Sequence, residues 1–185
     1  MTTRTGDDGY TRLLGPERVP KHDPRVEACG DFDEANSALG LARASVAEPP
    51  LREAIREVQR DLYVLMGELA STPATARQLP RRIGAEDVRR LESLEDALLA
   101  EVEIAREFVM PGGTFAGATL DLARTVVRRA ERRLARVLHD KLIENQEALR
   151  YVNRLSDVLF VMARHVERSA GPTDSLAERS DEQLP

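Results

Sequence analysis

The chain has 185 residues, of which 42% are hydrophobic and 32% are charged, and its formal net charge is −5. This length suits one domain with a real core, and the negative charge argues against a general nucleic-acid-binding protein. The only cysteine, Cys29, excludes an internal disulfide. No apolar run approaches the roughly 18 residues of a membrane span, and residues 1–8 lack the apolar stretch of a secretory signal. We therefore expect a cytoplasmic protein.

The chain begins with a loop that leads into a first helix. Residues 1–23 contain several glycines and prolines without a long apolar periodicity, which predicts an extended loop. Asp23 followed by Pro24 is typical of a helix start, because Asp caps free N–H groups and Pro fits the first turn. This helix should run to about Ala47, since Pro49 follows.

Four further helices follow, each indicated by an apolar stripe with steps of three and four residues. We predict them over about 51–72, 86–102, 116–138 and 146–168, with a loop over 73–84 and a turn at 108–114. Five helices with short connections predict an all-α, five-helix bundle over residues 24–168. The tail over 169–185 is polar and is expected to be disordered.

The fourth predicted helix carries two sets of arginines. At about 100° per residue, one set borders the apolar seam and the other lies further round, toward solvent or a partner. These sets are Arg124, Arg128 and Arg132, and Arg129, Arg133 and Arg136. A row of guanidinium groups along one flank suits a triphosphate, because each group can bind two phosphate oxygens. For this helix alone, solvated surface charge with intrahelical pairs is the simpler interpretation.

Polar residues also interrupt the faces of the first and fifth predicted helices. Asp33 shares one face of the first helix with Cys29, Asn36 and Gly40. A buried acid or amide needs partners, so Asp33 indicates either a wet face or an ion pair with an arginine, including a pair across a subunit interface. Asn153 lies beside the apolar stripe of the fifth helix, where it could bind a nucleotide or tie two helices together.

Two loop segments are candidates for ligand binding. The glycines of the N-terminal loop allow successive N–H groups to turn toward an anion, and its threonine, arginine and lysine side chains add donors. This loop is not the phosphate loop G-x-x-x-x-G-K-[ST], and a flexible terminus is an equal alternative. The segment 108–113 could form a wall for a large flat ligand or could be a tight connection. None of the three histidines lies at metal-ligand spacing, so no protein-bound metal is predicted.

Six separated motifs occur in a fixed order along almost the whole chain. They are TRTGDDGYT (3–11), RVPKHD (18–23), VEACGDFDEANS (26–37), FVMPGG (108–113), ARTVVRRAER (123–132) and YVNRLSDVLF (151–160). Together these motifs resemble the PduO-type ATP:corrinoid adenosyltransferases, also called cob(I)alamin adenosyltransferases. The resemblance implies transfer of the 5′-deoxyadenosyl group of ATP to cob(I)alamin, with magnesium on the ATP phosphates. It also implies a homotrimer of five-helix bundles, an electron donor and an acceptor enzyme that uses adenosylcobalamin.

The resemblance assigns roles to individual residues. Residues 1–23 would close over ATP, Arg128 and Phe108 would be catalytic, and Phe108 would displace the lower axial ligand of cobalamin. Asp33 and Arg124 match a pair that joins neighbouring subunits beside the site. The implied ATP contacts are Thr3, Arg4, Thr5, Gly6, Thr11, Arg12, Lys21, Arg128, Arg129, Glu131, Arg132 and Asn153.

This sequence departs from the usual family pattern at several positions. Asp8 replaces a common lysine, which removes one positive charge from the loop, and Asp121 replaces a common histidine. Cys29 and Ala35 replace a common tyrosine and a common leucine. A non-catalytic module that binds or delivers nucleotide or cobalamin is the main alternative function, and a structural oligomer with interface ion pairs is another.

Overall fold

The computed structural model describes residues 6–104 and 108–168. The predicted disordered tail and three of the predicted ATP contacts, Thr3, Arg4 and Thr5, lie outside the described residues. No helix in the described part of the chain combines the length and the apolar character needed to span a membrane.

The described residues form six helices and one small hairpin. The helices are α1 (Pro24–Ser45), α2 (Pro49–Leu69), α3 (Pro73–Ala76), α4 (Ala85–Leu99), α5 (Phe115–His139) and α6 (Gln146–Glu167). Strands β1 (Tyr10–Arg12) and β2 (Arg18–Pro20) pair antiparallel, with Thr11 opposite Val19. The five long helices lie where the apolar stripes predicted them, and the prediction of a mostly helical fold is confirmed.

The predicted count of five helices needs a correction. The one-turn helix α3 lies within the predicted loop 73–84 because Thr72 accepts a hydrogen bond from the backbone N–H of Thr75 at 3.3 Å, while the Thr75 side chain accepts one from Thr72 N at 2.9 Å. This reciprocal capping stabilises an isolated turn. The hairpin lies within the predicted extended loop, and its Val19 side chain is buried.

Side-chain caps fix the start of three of the five long helices, α1, α5 and α6. Asp23 accepts a hydrogen bond from Arg25 N at 2.9 Å, Thr114 accepts one from Gly117 N at 2.9 Å, and Asn145 accepts one from Glu147 N at 3.1 Å. Each cap satisfies a donor that has no partner inside its helix.

Helix α5 lies between α1 and α6, while α2 packs against α1 and α4 packs against α6. Helices α1 and α5 run antiparallel, since Ser45 contacts Thr119 at 2.7 Å near one end and Arg133 contacts Glu27 at 3.2 Å near the other. The core consists mainly of leucine, valine and alanine, with two large aromatic side chains that are fully buried, Phe32 and Tyr151. This packing leaves only the flanks of α5 exposed.

A buried charged cluster joins α2, α4 and α6. The Asp61 carboxylate is almost fully buried, and it accepts hydrogen bonds from Arg81 Nη2 at 2.7 Å and from Tyr151 Oη at 2.8 Å. Arg90 of α4 also pairs with Asp61. Burial, followed by the charge of Asp61, raises the pKa of Tyr151 well above its ordinary value. Tyr151 therefore stays protonated and remains a donor to Asp61.

Replacing Tyr151 with phenylalanine should lower the free energy of unfolding by about 1.5–3 kcal/mol, because a buried carboxylate loses one of its donors. Urea denaturation followed by circular dichroism measures this change. The control is Tyr63→Phe, since the Tyr63 side chain is 64% exposed on α2 and its loss should change stability by less than about 0.5 kcal/mol. Equal stabilities for the two variants would contradict the role given to Tyr151.

Candidate functional site

One flank of α5 faces acidic side chains of α1. Arg133 pairs with Glu27 at 3.2 Å and with Asp31 at 3.4 Å. Arg129 lies 3.9 Å from Asp31 and also pairs with Glu34. These guanidinium groups are about half exposed, so the pairs hold side-chain positions more than they stabilise the fold.

The other flank of α5 carries two arginines with free guanidinium edges. Arg128 and Arg132 are exposed, and Arg132 Nη1 donates a hydrogen bond to the carbonyl oxygen of Arg128 at 2.9 Å. Within residues 6–104 and 108–168, the other α5 arginines are all in ion pairs, whereas neither of these two is. The sequence analysis placed Arg128 and Arg132 on a flank that borders the core, but both are exposed, and Arg132 faces the same side of α5 as Arg129, Arg133 and Arg136. Their guanidinium groups leave positive charge available to an anion.

Glu131 and Asn153 meet beside these arginines. Asn153 Nδ2 donates a hydrogen bond to Glu131 Oε1 at 3.0 Å, which joins α6 to α5. Arg154 Nη1 donates to Asn153 Oδ1 at 3.4 Å. Asn153 therefore ties two helices together, as one of the two sequence-based interpretations proposed. Its side chain is also exposed, so it remains accessible to a ligand on this flank.

A surface depression of about 400 Å³ lies along the exposed side of α5. Its volume lies in the range of small-molecule sites. Of its four lining arginines, Arg132 is the one without an ion pair among the described residues. Sequence reasoning set aside two of the lining residues, Arg133 and Arg136, because they lie further round the helix. The lining residues are Arg129, Arg132, Arg133 and Arg136.

The predicted pair of Asp33 with Arg124 does not form within this chain. Arg124 Nε instead donates to Asp121 Oδ1 at 3.0 Å, and Asp121 Oδ2 accepts from Arg164 Nη2 at 2.6 Å. Asp33 is exposed on α1, and no ion pair of Asp33 occurs among the described residues. A contact between Asp33 and an arginine of a neighbouring subunit remains a prediction.

The face of α1 that was predicted to carry Asp33 mostly packs against α2. Cys29 Sγ contacts the Met66 carbonyl oxygen at 3.7 Å, and Gln59 Nε2 donates to the Asn36 carbonyl oxygen at 3.0 Å. Burial raises the pKa of Cys29 to about 11, so its thiol stays protonated at neutral pH and is a poor nucleophile. Asp33 lies at the exposed edge of this face and is its available polar group.

The N-terminal hairpin brings two predicted ATP contacts together. Gly6 has a φ of 113°, and an added Cβ there would lie 2.9 Å from the Tyr10 carbonyl oxygen and 3.6 Å from Lys21 Nζ. The exposed Lys21 ammonium group therefore lies next to Gly6, where only glycine fits without strain. The hairpin is anchored to the end of α2, because Leu14 N donates to the Ala70 carbonyl oxygen at 2.7 Å.

Asp8 stabilises the same hairpin. Its carboxylate accepts hydrogen bonds from Arg18 Nη2 at 2.5 Å and from Tyr10 N at 3.2 Å. The Arg18 guanidinium also lies 5.4 Å from the centre of the Tyr10 ring. Asp8 thus supplies a link across the hairpin at a position where a lysine would have supplied charge.

The segment that leads into α5 exposes large apolar side chains. Phe108 is 84% exposed, and Met110 and Phe115 are exposed as well. Gly112 has a φ of 119°, which allows the chain to turn before the Thr114 cap. Exposed aromatic and aliphatic groups on a short turn are suited to contact a large apolar ligand.

The Arg18 hydrogen bond, followed by the Tyr10 N–H, lowers the pKa of Asp8 below its ordinary value of 3.8. The link across the hairpin should therefore be intact above pH 3.8 and should be lost as the pH falls through the lowered value. An NMR titration of the Tyr10 amide measures this transition. The inflection should vanish in Asp8→Asn and persist in Asp7→Asn, and an inflection at or above 3.8 would contradict the assignment.

Comparisons with known proteins agree on one family. The family model described as cobalamin adenosyltransferase matches residues 1–166. The corrinoid adenosyltransferase of Citrobacter freundii is 47% identical over 162 residues, which cover 88% of this chain and 92% of that protein. Corrinoid adenosyltransferase PduO of Salmonella typhimurium is 38% identical over 182 residues, and the chain spans about half (54%) of its length.

A solved structure shows the same fold. It is a variant PduO-type ATP:corrinoid adenosyltransferase from Lactobacillus reuteri complexed with cobalamin and ATP, and it is 32% identical to this chain. The TM-score is 0.86, and the match covers 94% of this chain and 97% of that one. From the family model, the relatives and this structure together, the chain belongs to the cobalamin adenosyltransferase family.

Proposed function

We propose that this protein transfers the 5′-deoxyadenosyl group of ATP to cob(I)alamin and so produces adenosylcobalamin and triphosphate. Family membership supports the reaction, and the relative of known structure was solved with both cobalamin and ATP. The observation that carries the proposal for this chain is the exposed flank of α5. There Arg128 and Arg132 remain available beside the Glu131–Asn153 contact.

The reaction needs positioning and charge stabilisation rather than a protein base. Cobalt(I) donates an electron pair to the 5′ carbon of ATP, the bond from that carbon to the triphosphate oxygen breaks, and its electron pair leaves with the triphosphate. Because no proton moves in this step, a general base would have no task. Fixed positive groups that face the leaving oxygens lower the barrier most effectively when water is excluded.

The α5 arginines would bind the triphosphate, and the N-terminal hairpin would close over it. Arg128, Arg129 and Arg132 supply the guanidinium groups, while Glu131 and Asn153 present an acceptor and an amide to the sugar. Magnesium would enter on the ATP phosphates and share their charge, and the proposal gives it no protein ligand. The N-terminal residues assigned to ATP are Thr3, Arg4, Thr5, Gly6, Thr11, Arg12 and Lys21.

In the proposed homotrimer, each site would lie between two neighbouring subunits, and both subunits would contribute residues to it. Asp33 is exposed at the edge of α1, so it is available to an arginine such as Arg124 of a neighbour. Leu41 and Leu122 are each about half exposed, and they lie at a similar level on the antiparallel helices α1 and α5. Apolar groups beside a charged pair are typical of the interior of a subunit interface.

Replacing Arg128 with alanine should reduce turnover at least about a hundredfold, the usual effect of removing one group that stabilises a leaving anion. Formation of adenosylcobalamin from ATP and chemically reduced cobalamin is followed in the visible spectrum, and circular dichroism checks that helicity is retained. The control is Arg56→Ala, since Arg56 pairs with Glu53 on the outer surface of α2. Near-normal turnover by Arg128→Ala would remove this residue from the site.

Measurements of turnover, ligand binding and melting temperature on the wild-type protein distinguish the alternative functions. Binding of ATP and cobalamin without turnover would identify a delivery module instead of an enzyme. Absence of any ATP-induced rise in melting temperature would identify a structural oligomer, because a ligand that binds the folded state must stabilise it.

Replacing Phe108 with alanine should slow the reaction from cob(II)alamin far more than the reaction from cob(I)alamin. The reason is that an apolar side chain in place of the lower axial ligand makes cob(II)alamin easier to reduce. Both rates are measured with a chemical reductant, and Tyr63→Ala serves as the control because its ring is also largely exposed (64%) but lies on α2. Unchanged activity from cob(II)alamin would contradict the role of Phe108.

A further inference from the structure

We propose that Glu167, at the end of α6, is a positioning residue for the segment 108–114 and thereby for Phe108. The inference rests on the proposed function, because it assigns a task to the segment that would contact the corrinoid. The family match ends at residue 166, so Glu167 lies just beyond the matched range.

The Glu167 carboxylate lies directly against the start of α5. The side chain is 1% exposed, and its Oε1 accepts a hydrogen bond from Thr114 N at 3.4 Å. A Cβ added at Gly113 would lie 3.1 Å from Oε1, and one added at Gly117 would lie 2.1 Å from it. Gly113 and Gly117 therefore leave the space that the carboxylate occupies, and any larger side chain at position 117 would fill this space.

A second group, the Arg164 guanidinium, holds the Glu167 carboxylate in this space. Arg164, one turn earlier on α6, is 6% exposed, and its Nη2 lies 2.8 Å from Glu167 Oε2 and 2.6 Å from Asp121 Oδ2. Asp121 also accepts from Arg124. Two carboxylates and two guanidinium groups thus balance in charge. Removing the charge of Glu167 would leave one carboxylate between two buried or half-buried cations.

This cluster is better suited to fix geometry than to add stability. The 2.8 Å contact between Glu167 Oε2 and Arg164 Nη2 is an ion pair without hydrogen-bond geometry, so Glu167 Oε2 and Arg164 Nε are buried without a hydrogen-bond partner among the described residues. Apolar residues in place of a buried ion pair are often at least as stabilising, so an incompletely satisfied pair contributes little net stability. What it does determine is the position of Thr114 relative to α6.

Thr114 is the point at which the segment joins the bundle. Its N–H donates to Glu167, and its hydroxyl oxygen accepts from Gly117 N at 2.9 Å as the cap of α5. The chain runs from Phe108 through Gly112, whose φ is 119°, to this cap. Because these hydrogen bonds attach the segment at Thr114, a shift of Thr114 would shift the attached end of the segment that carries Phe108.

The test replaces Glu167 with glutamine, which keeps the size of the side chain and removes its charge. The variant should displace the lower axial ligand from a smaller fraction of bound cob(II)alamin, as read in the visible spectrum. Its turnover from cob(II)alamin with a chemical reductant should fall at least about tenfold, the size of effect expected when a supporting contact is lost. Turnover from cob(I)alamin and the KM for ATP should change by less than about twofold.

Glu68→Gln is the matched control. Glu68 is equally buried, it pairs with Arg82 at 3.1 Å, and its Oε2 accepts from Asn145 at 2.8 Å at the opposite end of α6. This variant should lose melting temperature without any change in ligand displacement. If Glu167→Gln gives the same profile as Glu68→Gln, the positioning role is wrong and Glu167 is structural.

A second variant tests the geometry with all charges retained. Gly117→Ala places a methyl group where the Glu167 carboxylate lies. Position 117 is in the first turn of α5, and alanine has a higher helix propensity than glycine. It should reproduce the defect in ligand displacement, and normal displacement would overturn the inference even if Glu167→Gln failed to fold. A wild-type protein that binds cob(II)alamin but forms no adenosylcobalamin would refute the proposed function alone, since the spectral measurement needs no turnover.

Discussion

The apolar stripe of α5 is buried between α1 and α6, and this single packing constraint divides the arginines of α5 into two groups. Those on the side of α1 meet the carboxylates of Glu27, Asp31 and Glu34 and are neutralised by them. Arg124 and Arg136 pair with Asp121 and Asp140. Arg128 and Arg132 meet no carboxylate within the described residues, so they keep their charge available. The positive charge that remains available to an anion thus depends on which arginines of α5 face the carboxylates of α1.

The two ends of α6 are held by different polar contacts. Near its N-terminus, Asn145 caps the helix and binds both Glu68 and the Ile83 carbonyl oxygen. Near its C-terminus, Arg164 and Glu167 bind Asp121 and the N-terminus of α5. Buried charges that are paired in this way specify one arrangement of neighbouring elements, because every alternative leaves a charge without a partner. The segment 108–114 joins α5 at this C-terminal end of α6, where Glu167 contacts Thr114.

The departures from the family pattern have structural partners in this chain. Asp8 replaces a positive charge, but its carboxylate binds Arg18 and Tyr10 N and holds the hairpin together. Asp121 replaces a histidine and bridges two arginines of different helices. The negative charge of Asp8 would weaken phosphate binding by the proposed ATP loop. Its hydrogen bonds also hold the hairpin together, and this second effect opposes the first.

The long helices could be predicted from the sequence alone, because apolar spacing and a cap such as Asp23 act over a few residues. The helical periodicity also separated Arg128 and Arg132 from the arginines that pair with α1, but it set them beside the core, whereas both side chains are exposed. Three features required the tertiary structure. Arg129 pairs with α1, residues 10–20 pair as a hairpin, and the Glu167 carboxylate packs against Gly117. These contacts join residues that are distant in sequence or depend on a turn, and no local periodicity specifies which faces of two helices will meet.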